Sequence, residues 1–196
     1  MMSLIEVLRL HHWIKNLLLF LPFVASQLAF SENILQNLFL GFLSFGLLAS
    51  ATYILNDILD IKNDKKHITK KYRPIPSGKI SIQMGFLIIV VLLTAIFFIT
   101  KEFEENNFLL YLIVYLLLSL FYSLYLKKIV LIDCFLLSIL YTIRIFAGGE
   151  LVNIIPSFWL ITFSMFLFLS LAFLKRYSEI SLMKNKQTVP GRNYYG

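Results

Sequence analysis

Chemistry in this chain is concentrated in one stretch, Asn56 to Gly78 (NDILDIKNDKKHITKKYRPIPSG), where acids and bases crowd together in an otherwise oily sequence. Asn56, Asp57, Asp60 and Asp64 are spaced so that one continuous helix would carry them on a single side. Three carboxylates held in one small volume repel each other and partly protonate unless a cation sits among them. Magnesium is the expected ion, because it takes oxygen ligands and reaches phosphates through only a few carboxylates. Asp57, Asp60 and Asp64 are therefore candidate metal ligands. The second half supplies Lys65, Lys66, Lys70, Lys71 and Arg73, followed by the turn-forming Pro74, Pro76, Ser77 and Gly78. Acids suited to a metal, followed by a basic loop, point to a diphosphate site.

Two further charges lie inside an apolar run. Asp133 and Arg144 are close to three whole turns apart, on one helix face with Tyr141 at its flank. Ionisable groups at membrane depth face a cavity, a partner or a substrate. For Arg144 an interhelical ion pair and a functional role stand about level, whereas Asp133, nearer the end of the run, is the better site candidate. The last charged cluster, Lys175-Arg176-Tyr177-Ser178-Glu179, reads either as a stop-transfer anchor or as part of the site. Glu179 favours the site, since an anchor has no use for an acid there. His11, His12 and His67 lack metal-ligand spacing, and no glycine-rich nucleotide loop or serine triad is visible.

These groups must be positioned by helices in lipid. The chain has 196 residues, 59% of them hydrophobic, with net charge +7, and its mean hydropathy is +0.79. That excludes a water-soluble globule and predicts a single all-α integral membrane domain over residues 1–196. Six apolar runs, at 13–31, 34–55, 80–100, 108–126, 129–149 and 154–174, each approach the roughly 20 residues of a spanning helix. The first has the look of a signal peptide, but five more spans follow it and a spanning helix is the better account. With a cytoplasmic start, Arg9, Lys15, the Lys62 to Lys79 loop, Lys127, Lys128, Lys175, Arg176, Lys184, Lys186 and Arg192 all fall inside. Outside fall Glu32, then Lys101 with Glu102, Glu104 and Glu105, then Glu150. This follows the positive-inside rule with both termini cytoplasmic. It also accounts for the basic balance without nucleic acid, for which no site is read. For Lys62, Lys65, Lys79, Lys184 and Lys186, orientation and contact with anionic lipid are the preferred reading. The lone Cys134 packs as a small hydrophobe.

The two motifs NDxxDxxxD at Asn56 to Asp64 and RPxPSGxIS at Arg73 to Ser81 resemble the UbiA superfamily of intramembrane prenyltransferases. The chain is more narrowly similar to its decaprenyl-phosphate phosphoribosyltransferase-like branch. That likeness is carried by Trp13-x-Lys15-Asn16, Asp64-x-x-His67-x-x-Lys70-x-x-Arg73-Pro74, Leu126-Lys127, Tyr141-x-x-Arg144-x-x-Ala147-Gly148-Gly149 and Lys175-Arg176-Tyr177-x-Glu179. The resemblance implies an inner-membrane transferase moving phosphoribosyl from phosphoribosyl pyrophosphate to a polyprenyl phosphate, for cell-envelope polysaccharide precursors. Asp57, Asp60 and Asp64 would hold Mg2+ and, with Lys127, serve catalysis. Asn56, Lys70, Arg73, Asp133, Tyr141, Arg144, Lys175, Arg176 and Glu179 would bind substrate. Lys175, Arg176 and Glu179 stand where aromatic prenyltransferases resembling it carry a second aspartate-rich motif, which favours a donor other than prenyl diphosphate. The alternatives are an aromatic-acceptor enzyme using prenyl diphosphate and an inactive membrane subunit. By analogy of fold, the bundle would have about nine helices, these six forming its N-terminal two-thirds, with an oligomer or partner completing it.

Overall fold

A computed structural model of the chain describes residues 2–67, 69–103, 107–126, 129 and 131–181. Among these residues all the regular secondary structure is helical. Helix α1 (Met2–Leu8) runs into a 3-10 segment, Leu10–Phe20, and then α2 (Leu21–Ser26), α3 (Glu32–Leu59) and the single turn α4 (Ile61–Asp64). After the basic loop come α5 (Ile82–Thr100), α6 (Phe108–Leu124), α7 (Ile132–Leu151) and α8 (Phe158–Ser181). Ser31 and Ser81 cap α3 and α5, their hydroxyls accepting from the Ile34 and Met84 amides at 3.3 and 3.2 Å.

Each of the six apolar runs is helical, and four helices, α3, α5, α7 and α8, are long and apolar enough to cross a membrane. The expected long helix over 13–31 is corrected: this run is a 3-10 segment joined to a short α-helix. At about 2.0 Å per residue the 11-residue 3-10 segment covers about 22 Å. The six residues of α2 add about 9 Å. Together they match the roughly 30 Å hydrocarbon layer with fewer residues than an α-helix needs.

The 3-10 repeat also decides which residues share a face. Side chains three apart eclipse each other, so Trp13, Asn16 and Leu19 form one row and His12, Lys15 and Leu18 another. The first row packs inward. Trp13 Nε1 donates to Ser50 Oγ of α3 at 3.1 Å, while Asn16 and Leu19 are buried. The approach to α7 is close enough that a Cβ at Gly148 would collide with the Leu19 carbonyl.

Helices α3 and α7 form the centre. Their apolar windows are 56% and 61% buried, against 17% for α5 and α8, whose exposed Phe97, Phe98, Phe158, Trp159, Phe163 and Phe166 suit lipid. Phe45 of α3 anchors the core, edge-on to Phe108 and Tyr115 of α6 at 5.8 and 5.4 Å. The basic loop is tethered, because Ile75 and Ile80 bury with Val7, Ala51, Ile54 and Leu92.

Candidate active site

A cavity of about 220 Å³ opens between the 3-10 segment, α3, α6 and α7. One end is lined by Asn56, Asp60, Asn63 and Asp64, with His67 and Lys70 from the loop. The other is lined by Lys15, Tyr115, Tyr141 and Arg144, and Thr52, Tyr53, Ser119, Tyr122, Ser123, Leu137 and Leu140 complete the wall. Ser123 Oγ donates to Asn56 Oδ1 and fixes the acid end of α3 against α6.

The acids do not lie on one continuous helix as their spacing predicts. Helix α3 ends at Leu59, and Asp60 takes a non-helical φ of −96° and ψ of 8° before α4 begins. Asp57, before the break, stays close enough to Asp64 to share the Arg73 Nη1 donor but does not line the cavity. Asp57 is buried and accepts two hydrogen bonds from Arg9 Nη2, at 2.7 and 2.5 Å, and a third from Arg73 Nη1 at 3.0 Å. Arg9 can reach it because it ends α1 in the left-handed region, φ 52°. Arg73 Nη1 also donates to Asp64 Oδ2 at 2.8 Å. Arg9, Asp57, Arg73 and Asp64 thus form an ion-pair chain tying α1, α3, α4 and the loop together. Asp60 and Asp64 line the cavity whereas Asp57 and Arg73 do not.

Among the described residues, no three His, Cys, Asp or Glu side chains gather as a metal site. The acid end nevertheless offers oxygen ligands suited to magnesium. Asp60, Asp64 and Asn56 line one chamber, and an ion that keeps several waters needs only one or two carboxylates.

Arg144 lies at the opposite end, buried. Its Nε donates to Asn16 Oδ1 at 3.0 Å, Nη1 to the Leu140 carbonyl at 2.5 Å and Nη2 to Tyr115 Oη at 2.9 Å. Its guanidinium carbon sits 4.7 Å from the Tyr115 ring centre and 5.6 Å from that of Tyr141. Tyr141 is itself stacked on Phe168 of α8 at 4.7 Å.

Asp133 takes a different place from Arg144. It is fully buried and paired with Arg176 of α8, which reaches Oδ2 through Nε and Oδ1 through Nη2 at 3.0 Å. Tyr122 Oη donates to Oδ1 at 2.9 Å. Asp133 and Arg176 lock α6, α7 and α8 behind the cavity wall, on which neither lies. Lys175 is exposed and is not part of the cavity lining. Lys127 and the side chain of Glu179 lie outside the described residues.

Of the expected site residues, Asn56, Asp60, Asp64, Lys70, Tyr141 and Arg144 line the cavity. Asp57, Arg73, Asp133 and Arg176 form the ion pairs behind it. Sequence reasoning missed Lys15 and the hydroxyl wall of Tyr53, Tyr115, Ser119, Tyr122 and Ser123. Lys15 was visible as an orienting cation and in the Trp13-x-Lys15-Asn16 motif but not as a site residue; the hydroxyls have no spacing signal in a chain this rich in tyrosine.

Fold and cavity together define a multi-pass helical membrane protein with a charged chamber among its helices. Residues 18–184 match the UbiA prenyltransferase family, and the chain belongs to it. It is 40% identical over 189 residues to the uncharacterized protein y4nM of Sinorhizobium fredii, covering 95% of this chain and 36% of that one. It is 37% identical over 185 residues to the nodulation protein NoeC of Azorhizobium caulinodans, covering 93% and 59%. To decaprenyl-phosphate phosphoribosyltransferase of Mycobacterium tuberculosis it is 30% identical over 189 residues, covering 92% and 61%. The chain thus spans less than two thirds of each of these relatives. A UbiA homolog from Archaeoglobus fulgidus bound to DMAPP and Mg2+ superposes with TM-score 0.77 at 19% identity, covering 92% of this chain and 65% of that one. The all-α membrane fold and the family expected from the two motifs are both borne out.

Proposed function

We propose that this chain carries the diphosphate-handling part of a membrane transferase that moves phosphoribosyl from phosphoribosyl pyrophosphate to a polyprenyl phosphate. The observation that carries the reading is the division of one cavity into an oxygen-ligand end, Asn56, Asp60 and Asp64, and a cationic end, Lys15 and Arg144. The likeness to decaprenyl-phosphate phosphoribosyltransferase supports the choice of donor.

In this reading the donor's diphosphate lies at the acid end, where Asp60, Asp64 and Asn56 would hold Mg2+ and Lys70 faces the phosphate oxygens. Bound there, Mg2+ supplies neutralisation of charge on the leaving pyrophosphate. The ribose C1–O bond breaks with its electron pair on pyrophosphate, and an oxygen of the lipid phosphate gives a pair to C1. That oxygen is already anionic, so no strong base is required. The tyrosine and leucine wall keeps water from the oxocarbenium-like ribose, and the lipid tail leaves between helices. Both chain termini face the cytoplasm in this reading, in the inner membrane.

A second reading is favoured by the Archaeoglobus fulgidus homolog bound to DMAPP and Mg2+: a prenyl diphosphate donor at the same acid end. Membranes containing the chain, incubated with radiolabelled phosphoribosyl pyrophosphate and polyprenyl phosphate or with a labelled prenyl diphosphate and an aromatic acceptor, separate the two. Label in lipid from the first pair only, abolished by Asp60→Asn and by EDTA, is the expected result. Label from the second pair alone overturns the proposal in favour of the prenyl donor.

A further inference from the structure

We infer that Lys15 and Arg144 form a phosphate-monoester subsite of their own, separate from the diphosphate end of the cavity and independent of metal. The inference rests on the transferase reading above for its biological ligand, but its geometry stands apart from it.

Both cations line the cavity, and both lie 5.6 Å from the centre of the same Tyr141 ring. Among the described residues neither has a carboxylate partner: the ion pairs use Arg9, Arg73, Lys79 and Arg176 instead. Every hydrogen bond of Arg144 goes to a neutral acceptor, Asn16, Leu140 or Tyr115. Lys15 makes none to the described residues. Two like charges beside each other, inside a helical bundle and without a counter-charge, are strongly disfavoured unless an anion joins them. Next to them Asn16, 1% exposed, has Nδ2 buried with no partner, so a further donor stands unused where Arg144 is anchored.

Position separates this pair from the acids. Along α6, Tyr122 touches the Asp133 lock at the end where Ser123 holds Asn56, whereas Tyr115, the Arg144 partner, lies seven residues away. That is two turns, or about 10 Å, farther than one diphosphate group reaches. A guanidinium and an ammonium without an acid match a phosphate dianion, and Tyr115, Tyr141, Leu137 and Leu140 surround it with low-dielectric wall. The phosphate could come from the head of a polyprenyl lipid or from the sugar phosphate of the donor; the chemistry is the same.

Titration of the purified full chain in detergent and excess EDTA tests this, with a long-chain polyprenyl monophosphate in one arm, ribose 5-phosphate in another and the neutral polyprenol as control. Metal-free binding of at least one phosphate, weakened about tenfold by Lys15→Gln and restored by Lys15→Arg, is expected. The arm that responds names the source of the phosphate. Binding unchanged by Lys15→Gln overturns the subsite. So does binding of neither phosphate, or of polyprenol as tightly as its phosphate, or binding that requires Mg2+ and falls equally in Asp60→Asn. Metal-free phosphate binding alongside failed phosphoribosyl transfer would instead remove the proposed activity and leave the subsite standing.

Discussion

Asp57 and Asp133 are both withdrawn from water, and each is held by arginine, yet they do different work. Asp57 shares two arginines, one at the end of α1 and one from the loop, so it fastens α1 and the loop to α3. Asp133 meets Arg176 from a neighbouring helix in a buried pair, with side-chain exposures of 0% and 6%. A buried pair is worth little against an apolar replacement, but losing one partner strands the other. Arg176→Met is therefore expected to destabilise the protein by about 3–5 kcal/mol, seen as a lower thermal unfolding temperature in detergent. Asp133→Asn in the same chain should recover most of that loss. Strictly additive losses would mean that the two side chains do not act as a lock. The sequence made Asp133 the better site candidate because it lay nearer the expected mouth. Depth along a helix is legible from spacing, but which neighbour arrives opposite is decided by packing that spacing does not encode. For the same reason Asp60 and Asp64 could be read from the motif, while the capture of Asp57 by Arg9, 48 positions earlier, could not.

At the scale of the element, hydropathy located every apolar run but was blind to the winding of the first. A 3-10 segment and an α-helix of the same composition look alike to a hydropathy window; they differ in which residues share a face. Under the 3-10 repeat Asn16 joins the inward row and can anchor Arg144, and Lys15 falls on the neighbouring row and lines the cavity. Backbone approach at Gly148 holds this arrangement, since any Cβ there meets the Leu19 carbonyl. Gly148→Ala should cost about 1–3 kcal/mol through overpacking. By pushing the 3-10 segment off α7 it should also loosen the Asn16 to Arg144 hydrogen bond. Thermal unfolding checks the first effect, and weaker metal-free phosphate binding the second. A Gly148→Ala protein as stable as the parent would show that the segment can shift freely, and that its register does not set the site. The break after Leu59 teaches a related lesson: polar spacing assumes an unbroken helix, and Asp60 interrupts it, with Asp60 and Asp64 lining the cavity and Asp57 not.

Across the whole molecule the charges sort to two ends of the bundle. Glu150 at the end of α7 accepts from the Asn107 amide at 3.0 Å, at the start of α6. The Arg9, Asp57, Arg73 and Asp64 chain and the Asp133 to Arg176 lock gather at the other end. A membrane potential and anionic lipid would favour the cation-rich end inside, which in the proposed reading would make the cavity mouth cytoplasmic, on the side of a soluble sugar phosphate donor. Single cysteines read this directly, because the native Cys134 is buried and should stay silent. Lys79→Cys, exposed beside the basic loop, should react with a membrane-impermeant maleimide in inside-out vesicles and not in intact spheroplasts. Glu32→Cys, at the start of α3, should show the reverse. Labelling of both from the same side would contradict the crossing of α3 between them. Exchange of the two patterns would turn the mouth outward and leave a water-soluble cytoplasmic donor no route to Asp60 and Asp64.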